Sequence, residues 1–246
     1  MYMENHSEFQ IVKCKKPNMP LPNCSCDNRL CDRLEQYELL KFLNTQSSLN
    51  LFCGKPGSGK SSTVNGLFAG PLMNTYSKIY LFMPKHSRQS FEDSIFNCLP
   101  DEQVFDDLDL EILTEVVEIC KADAEIGFKS AIIFDDQTAK LKNNELLKTF
   151  LDICYNRRHY KISIFFIVQS FYSVPKSIRQ VFTNIFLFRI SKNVLNNIYE
   201  ELIECPNKEL VDKLCKFVFN QKYNFLFINC DTQRFFKNFD EIIIPE

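Results

Sequence analysis

Hydrophobic positions fall into short, nearly unbroken runs rather than alternating with polar ones. Five such runs, rich in β-branched and aromatic residues, cover residues 49–53, 79–83, 131–134, 162–168 and 185–190. Alternation would mark strands with one wet face. Continuous hydrophobicity fits strands buried on both faces of a parallel sheet, with the connecting helices outside. Upstream, residues 34–42 can form a helix before the first run. Downstream, 194–203 and 208–219 read as helices, and 225–229 and 235–244 as a late hairpin or edge strands. Residues 1–33 are polar and proline-bearing and read as an arm, which leaves 34–246 as one large α/β domain. There is no internal repeat and no low-complexity tract.

Between the first run and the next helical stretch stands Gly54-Lys55-Pro56-Gly57-Ser58-Gly59-Lys60-Ser61, which fits GxxxxGK[ST] at every fixed position. Three of the chain's six glycines fall within these eight residues. Strand, glycine loop and helix is the order a phosphate-binding loop requires. Glycines let successive backbone N–H groups turn inward around phosphate oxygens at a helix N-terminus. Residues Gly54 to Ser62 are therefore the expected nucleotide cradle. Lys60 is placed to reach the β- and γ-phosphates, and the Ser61 hydroxyl to hold Mg²⁺. The expected ligands are ATP and Mg²⁺.

The third run ends in Asp135-Asp136. One carboxylate can orient Mg²⁺ through its water shell, and a second can polarise the attacking water. Asp135 fits the first role and Asp136 the second. The fourth run ends in Gln169, whose amide points at the γ-phosphate if that strand lies between the first and the third. Just before this run stands Asn156-Arg157-Arg158-His159-Tyr160. An arginine there can reach into a neighbouring subunit's site and stabilise transition-state charge; Arg157 and Arg158 are both candidates, Arg158 the favoured one, with Arg189 as a further candidate. A salt bridge or a DNA-backbone contact is the plain alternative.

Composition narrows the picture only slightly. A hydrophobic content of 45% is ample for a core, and a net charge of −2 does not advertise nucleic-acid binding over the whole surface. Charge is uneven along the chain. Residues 92–125 carry twelve acidic side chains against Lys121 alone, and residues 137–161 a net charge of +4. The functional reading is a basic face turned to phosphate, with Lys140 and Lys142 as candidate DNA contacts, and the acidic stretch turned away; the plain alternative, favoured for the acidic stretch, is that both are solvated helix faces.

Eleven cysteines, without a signal peptide or an apolar run of transmembrane length, indicate a reducing compartment rather than secretion. Cys53, Cys98, Cys120, Cys154, Cys215 and Cys230 have apolar neighbours and read as small core residues. Cys14, Cys24, Cys26 and Cys31 are enough for Zn²⁺, but they lack the paired C-x₂₋₄-C ribbon. Free thiols are the plainer reading.

GKPGSGKSS, AIIFDDQT, NRRHYKISIFFIVQS and a phenylalanine-rich fifth run together resemble the genome-packaging ATPases of large double-stranded DNA viruses, the poxvirus-type branch of the FtsK–HerA superfamily. The resemblance spans roughly residues 45–230. It implies a RecA-like P-loop NTPase core of the ASCE type. It also implies a homo-oligomeric ring, translocation of double-stranded DNA, capsid or portal-vertex partners, and a place in the host cytoplasm, a viral factory or the virion. By position, Lys60 and Ser61 bind phosphate and Mg²⁺, Asp135 and Asp136 form the Walker B pair, Gln169 is the sensor and Arg158 the finger. The superfamily's usual second acid is Glu, and Asp136 departs from it.

Two other classes share the loop. A nucleoside or nucleotide kinase would follow it with a cluster of lid arginines, which this chain lacks. An ATP-binding assembly protein has no need of a water-polarising acid. A GTPase would need NKxD and DxxG, and neither is present.

Overall fold

The computed structural model describes residues 9–12, 38–43, 46–91, 94–202 and 208–243. Ten strands form one sheet: β1 (Gln10–Val12), β2 (Leu49–Cys53), β3 (Lys78–Phe82), β4 (Val104–Phe105), β5 (Ser130–Asp135), β6 (Ile162–Val168), β7 (Asn184–Phe188), β8 (Phe225–Asn229), β9 (Arg234–Lys237) and β10 (Asp240–Ile243). Their order across the sheet is β1-β10-β9-β8-β7-β2-β6-β5-β3-β4. From β7 to β4 every pairing is parallel. From β7 through β8, β9 and β10 to β1 every pairing is antiparallel. The strand that ends before Gln169 therefore lies between the phosphate-loop strand and the Asp135 strand, as the site requires.

The helices are α1 (Lys60–Ala69), α2 (Lys85–Gln89), α3 (Leu110–Glu125), α4 (Asn144–Asn156), α5 (Lys176–Arg179), α6 (Lys192–Leu202) and α7 (Lys208–Val218). Each residue of β2, β5, β6, β7 and β8 is buried, because helices cover both faces of the sheet. One face packs Val64, Leu67 and Phe68 of α1 and Leu39, Leu40 and Leu43 against the sheet. The other packs Leu113 and Val116 of α3, Phe150 and Ile153 of α4, Ile198 of α6 and Leu214 of α7.

A row of phenylalanines crosses the α1 face. Phe52, Phe186, Phe227 and Phe236 stack in turn, with ring centroids 4.2, 4.5 and 4.7 Å apart. The register places Phe52 opposite Phe186, Phe186 opposite Phe227 and Phe227 opposite Phe236, so each ring meets its neighbour directly across a strand pair.

The run expected over 235–244 is two strands, because Asn238 turns with φ 57° between β9 and β10. Within the segment read as an arm, β1 pairs with β10 and Phe9 packs against Phe217, ring centroids 5.5 Å apart. Of the helix expected over 34–42, the structure describes a 3₁₀ turn at Glu38–Lys41. Cys14, Cys24, Cys26 and Cys31 lie outside the described residues. Six described cysteines are free, and Cys98 is exposed, not a core residue as expected. Among the described residues no helix is long and apolar enough to cross a membrane.

Candidate active site

Helices α3 and α4 begin in the ordinary way. The Asp109 side chain accepts from Glu111 N and Ile112 N, and the Asn143 side chain from Glu145 N and Leu146 N. Helix α1 does not. Its N-cap is Gly59, in the left-handed region at φ 99°, and no side chain caps it. The first-turn N–H groups are left for a ligand, which is the physical basis of anion binding at a helix start.

Three glycines shape the loop for different reasons. Gly57 and Gly59 have φ of 69° and 99°, which side chains rarely adopt. Gly54 is set by space, since a Cβ there would lie 2.6 Å from Phe188 Cβ. Lys55, Pro56 and Gly57 form the exposed tip, and Ser58, Ser61 and Ser62 lie at or near the surface. Ser58 Oγ is buried without a hydrogen-bond partner, an acceptor and donor held ready in the cradle.

Lys60 is 8% exposed, and its ammonium donates to Gly54 O at 2.8 Å and Lys55 O at 3.1 Å. Burial lowers its pKa, against which the charges of Asp136 and Asp135 act. A phosphate would give this ammonium a charged acceptor in place of two neutral carbonyls.

The ends of β5 and β6 supply the opposing wall. Ser61 Oγ donates to Asp135 Oδ2 at 3.0 Å, joining the loop to the end of β5. Burial pushes the Asp135 carboxyl up to about 6; the Ser61 hydrogen bond lowers it, Asp136 raises it further, and Lys60 lowers it. A half-buried hydroxyl and a buried carboxylate fit a hard cation that takes its remaining ligands from phosphate and water. Among the described residues no group of three or more His, Cys, Asp or Glu side chains is arranged to hold a metal by itself.

Asp136 leaves the strand at φ 55°, and its N–H donates to Ile167 O at 3.1 Å. Asp tolerates that left-handed conformation better than most residues, which gives a local reason for Asp at this position. Gln169 Nε2 donates to Asp136 Oδ2 at 2.6 Å. The amide therefore holds the carboxylate expected to polarise water.

The structure brings Lys60, Ser61, Asp135, Asp136 and Gln169 to one edge of the sheet. It separates Arg157 and Arg158 from them. Arg157 is 7% exposed, with Nε donating to Ser47 O at 2.9 Å and a second nitrogen to Cys154 O. It ties the end of α4 to the chain before β2, so the expectation that it serves as a finger is corrected by its burial. Arg158 is exposed at the opposite end of β6 from Gln169. A strand of seven residues puts about 20 Å between those ends, so Arg158 cannot reach its own chain's site. Arg189 is exposed just beyond β7, beside the loop.

The acidic and basic stretches touch each other. Lys140 pairs with Asp107, and Lys121 of α3 lies 4.8 Å from the Tyr160 ring centroid. Gln137 is buried and accepts from Leu108 N at 3.1 Å, which fixes the middle of this acidic stretch to the loop after Asp136. Two residues that sequence reasoning missed meet the cradle: Phe188 beneath Gly54, and Tyr223, whose ring lies beside Gly59. Both come from distant segments and carry no local motif.

Solved structures with this fold include B204, the DNA-packaging ATPase from Sulfolobus turreted icosahedral virus. It is 17% identical, with a TM-score of 0.57 over 78% of this chain and 96% of that one. The genome packaging NTPase B204 of Sulfolobus turreted icosahedral virus 2, in complex with AMP, is 14% identical with the same TM-score over 78% of this chain and 97% of that one. The cytoplasmic domain of the type VII secretion ATPase EccC from Thermomonospora curvata is 11% identical, with a TM-score of 0.51 over 81% of this chain and 24% of that one. At these identities the likeness establishes the fold, that of RecA-like P-loop ATPases. No curated protein matches the sequence. A sequence model of the family described as Poxvirus A32 protein matches residues 35–236, and the chain belongs to that family.

Proposed function

We propose that this chain is an ATP-driven motor that moves double-stranded DNA, packaging a viral genome into a preformed capsid. The observation that carries the reading is the meeting of Lys60, Ser61, Asp135, Asp136 and Gln169 at one sheet edge, around an uncapped helix start. An ATP-binding scaffold would need the cradle but not the Asp136–Gln169 pair. Family membership and the packaging NTPases of the same fold support the particular job.

Ser61 and Asp135 are the residues that would hold Mg²⁺, whose charge offsets that of the β- and γ-phosphates when bound. Lys60 would leave the loop carbonyls for the phosphates. Asp136 would accept a hydrogen bond from the attacking water, and Gln169, bonded to that carboxylate, would couple its position to the γ-phosphate. Hydrolysis then rests on positioning and charge stabilisation, with no covalent intermediate on the protein.

Subunits assemble into a ring in which Arg158 of one completes the site of the next, since its own site is out of reach. The test is complementation. Arg158→Ala and Lys60→Ala chains should each be inactive in an assembled ring, and mixing them should restore turnover at interfaces that pair an intact site with an intact arginine. Full activity of Arg158→Ala alone would remove the finger. DNA held through its phosphates should show affinity that falls steeply with salt and no sequence preference. The capsid or portal vertex and the host cytoplasm or viral factory are the expected partner and setting.

A further inference from the structure

Beside the phosphate cradle lies a cavity of about 450 Å³ lined by Gly57, Gly59, Ser62, Thr63 and Tyr223. That volume lies within the range of small-molecule pockets. It is continuous with the start of α1, where the phosphates bind in the proposed reading, and a nucleotide's phosphates occupy only part of it. Tyr223 stands in the turn between α7 and β8, far in sequence from the loop, and yet its Cδ1 would lie 3.4 Å from a Cβ at Gly59. Tyr223 is 58% exposed, so the cradle side of the turn presents an aromatic residue to solvent. Its backbone is in the left-handed region at φ 68°, which an aromatic residue adopts only under constraint. The Lys222 ammonium lies over the ring, 4.7 Å from its centroid. An exposed, constrained aromatic ring at the wall of a phosphate-binding cavity is suited to stack on a planar base.

We propose that Tyr223 is the platform for the nucleobase of the bound nucleoside triphosphate, a role that rests on the nucleotide-site reading of Gly54–Ser62. The phosphate loop recognises triphosphate and is indifferent to what the triphosphate carries. Tyr223 adds the contact that separates a nucleotide from bare polyphosphate. Gly59 carries no side chain where the ring comes close, so the base can approach both at once.

The experiment is calorimetric binding of ATP and of inorganic tripolyphosphate to the full chain and its variants. Tyr223→Asn removes the ring with a residue that tolerates the left-handed backbone, and Tyr223→Phe keeps the ring. The expected result is ATP affinity about 10- to 100-fold weaker in Tyr223→Asn, tripolyphosphate affinity within twofold of wild type, and Tyr223→Phe close to wild type for both. Two results would overturn the platform while leaving the phosphate loop standing. One is unchanged ATP affinity in Tyr223→Asn. The other is an equal loss for ATP and tripolyphosphate, which would make Tyr223 a prop for Gly59. If the wild type bound neither ligand, the nucleotide-site reading would fall and the platform with it.

Discussion

Two groups of polar residues lie at opposite ends of the sheet's strands, and they are built for different purposes. At the base, Asn50, Asn184 and Asn229 sit side by side across β2, β7 and β8. Asn184 Nδ2 donates to Asn50 Oδ1 at 2.9 Å, and Asn229 Nδ2 to Asn184 Oδ1 at 3.3 Å. The ends of the row are closed by Ser48 Oγ, Ile164 O, Phe42 O and Thr232. About 13 Å further along β2, the cradle holds Lys60 on two loop carbonyls, Asp135 on Ser61, Asp136 on Gln169, and Ser58 Oγ on nothing. Between the rows lie the stacked rings of Phe52, Phe186 and Phe227. A buried polar network whose members satisfy one another fixes a register. One whose bonds a phosphate or a cation can replace is a binding site. The aromatic layer lets a rigid base support a replaceable top.

The contrast can be broken most forcefully in that middle layer. Phe186→Ala removes the ring that stacks on both Phe52 and Phe227. It should cost about 3–5 kcal/mol and lower the melting temperature by about 10 °C, with nucleotide affinity of the folded protein preserved. Thermal unfolding with and without ATP checks both halves. Lys60→Ala should do the reverse: turnover falls about 10²- to 10³-fold while the melting temperature of the ligand-free protein stays within a few degrees. Asn184→Ala strands Asn50 Oδ1 and takes one acceptor from Asn229 Nδ2. It should cost about 1–3 kcal/mol in urea unfolding and leave turnover per folded molecule unchanged.

The smallest effect is in pH. Burial raises Asp135 from 3.8 to about 6, so its proton is bound more tightly folded than unfolded. Ligand-free stability should therefore decline through this group as pH rises from about 4 to about 6, and Asp135→Asn should relieve that decline. Mg²⁺ competes with the same proton, so the Mg²⁺-dependent part of ATP affinity should weaken by up to about tenfold per pH unit below 6. Titration calorimetry at pH 5, 6 and 7, with and without Mg²⁺, reads the difference.

Strands β2, β5, β6 and β7 were legible because they are buried on both faces, which leaves an unbroken apolar run in the sequence. The cradle and the Asp135–Asp136 pair were legible because their chemistry needs particular residues at fixed local spacing. Strand β4 is two residues long, too short for any periodicity, and β1 owes its place to a partner more than two hundred residues away. Sequence gave no means of telling which of Arg157 and Arg158 turns inward, since the choice depends on the Ser47 and Cys154 carbonyls that receive it. The pairing of Asp107 with Lys140 was hidden for a similar reason: the two are 33 residues apart and meet only in the fold. Tyr223 reaches the cradle through the antiparallel half of the sheet, whose position beside β7 no local pattern announces.

The most direct test of the motor reading is steady-state ATP hydrolysis with and without linear duplex DNA, in wild type, Lys60→Ala and Asp136→Asn. The account predicts turnover that DNA stimulates and that both substitutions abolish. Turnover indifferent to DNA, or phosphate delivered to a nucleoside instead of water, would contradict it.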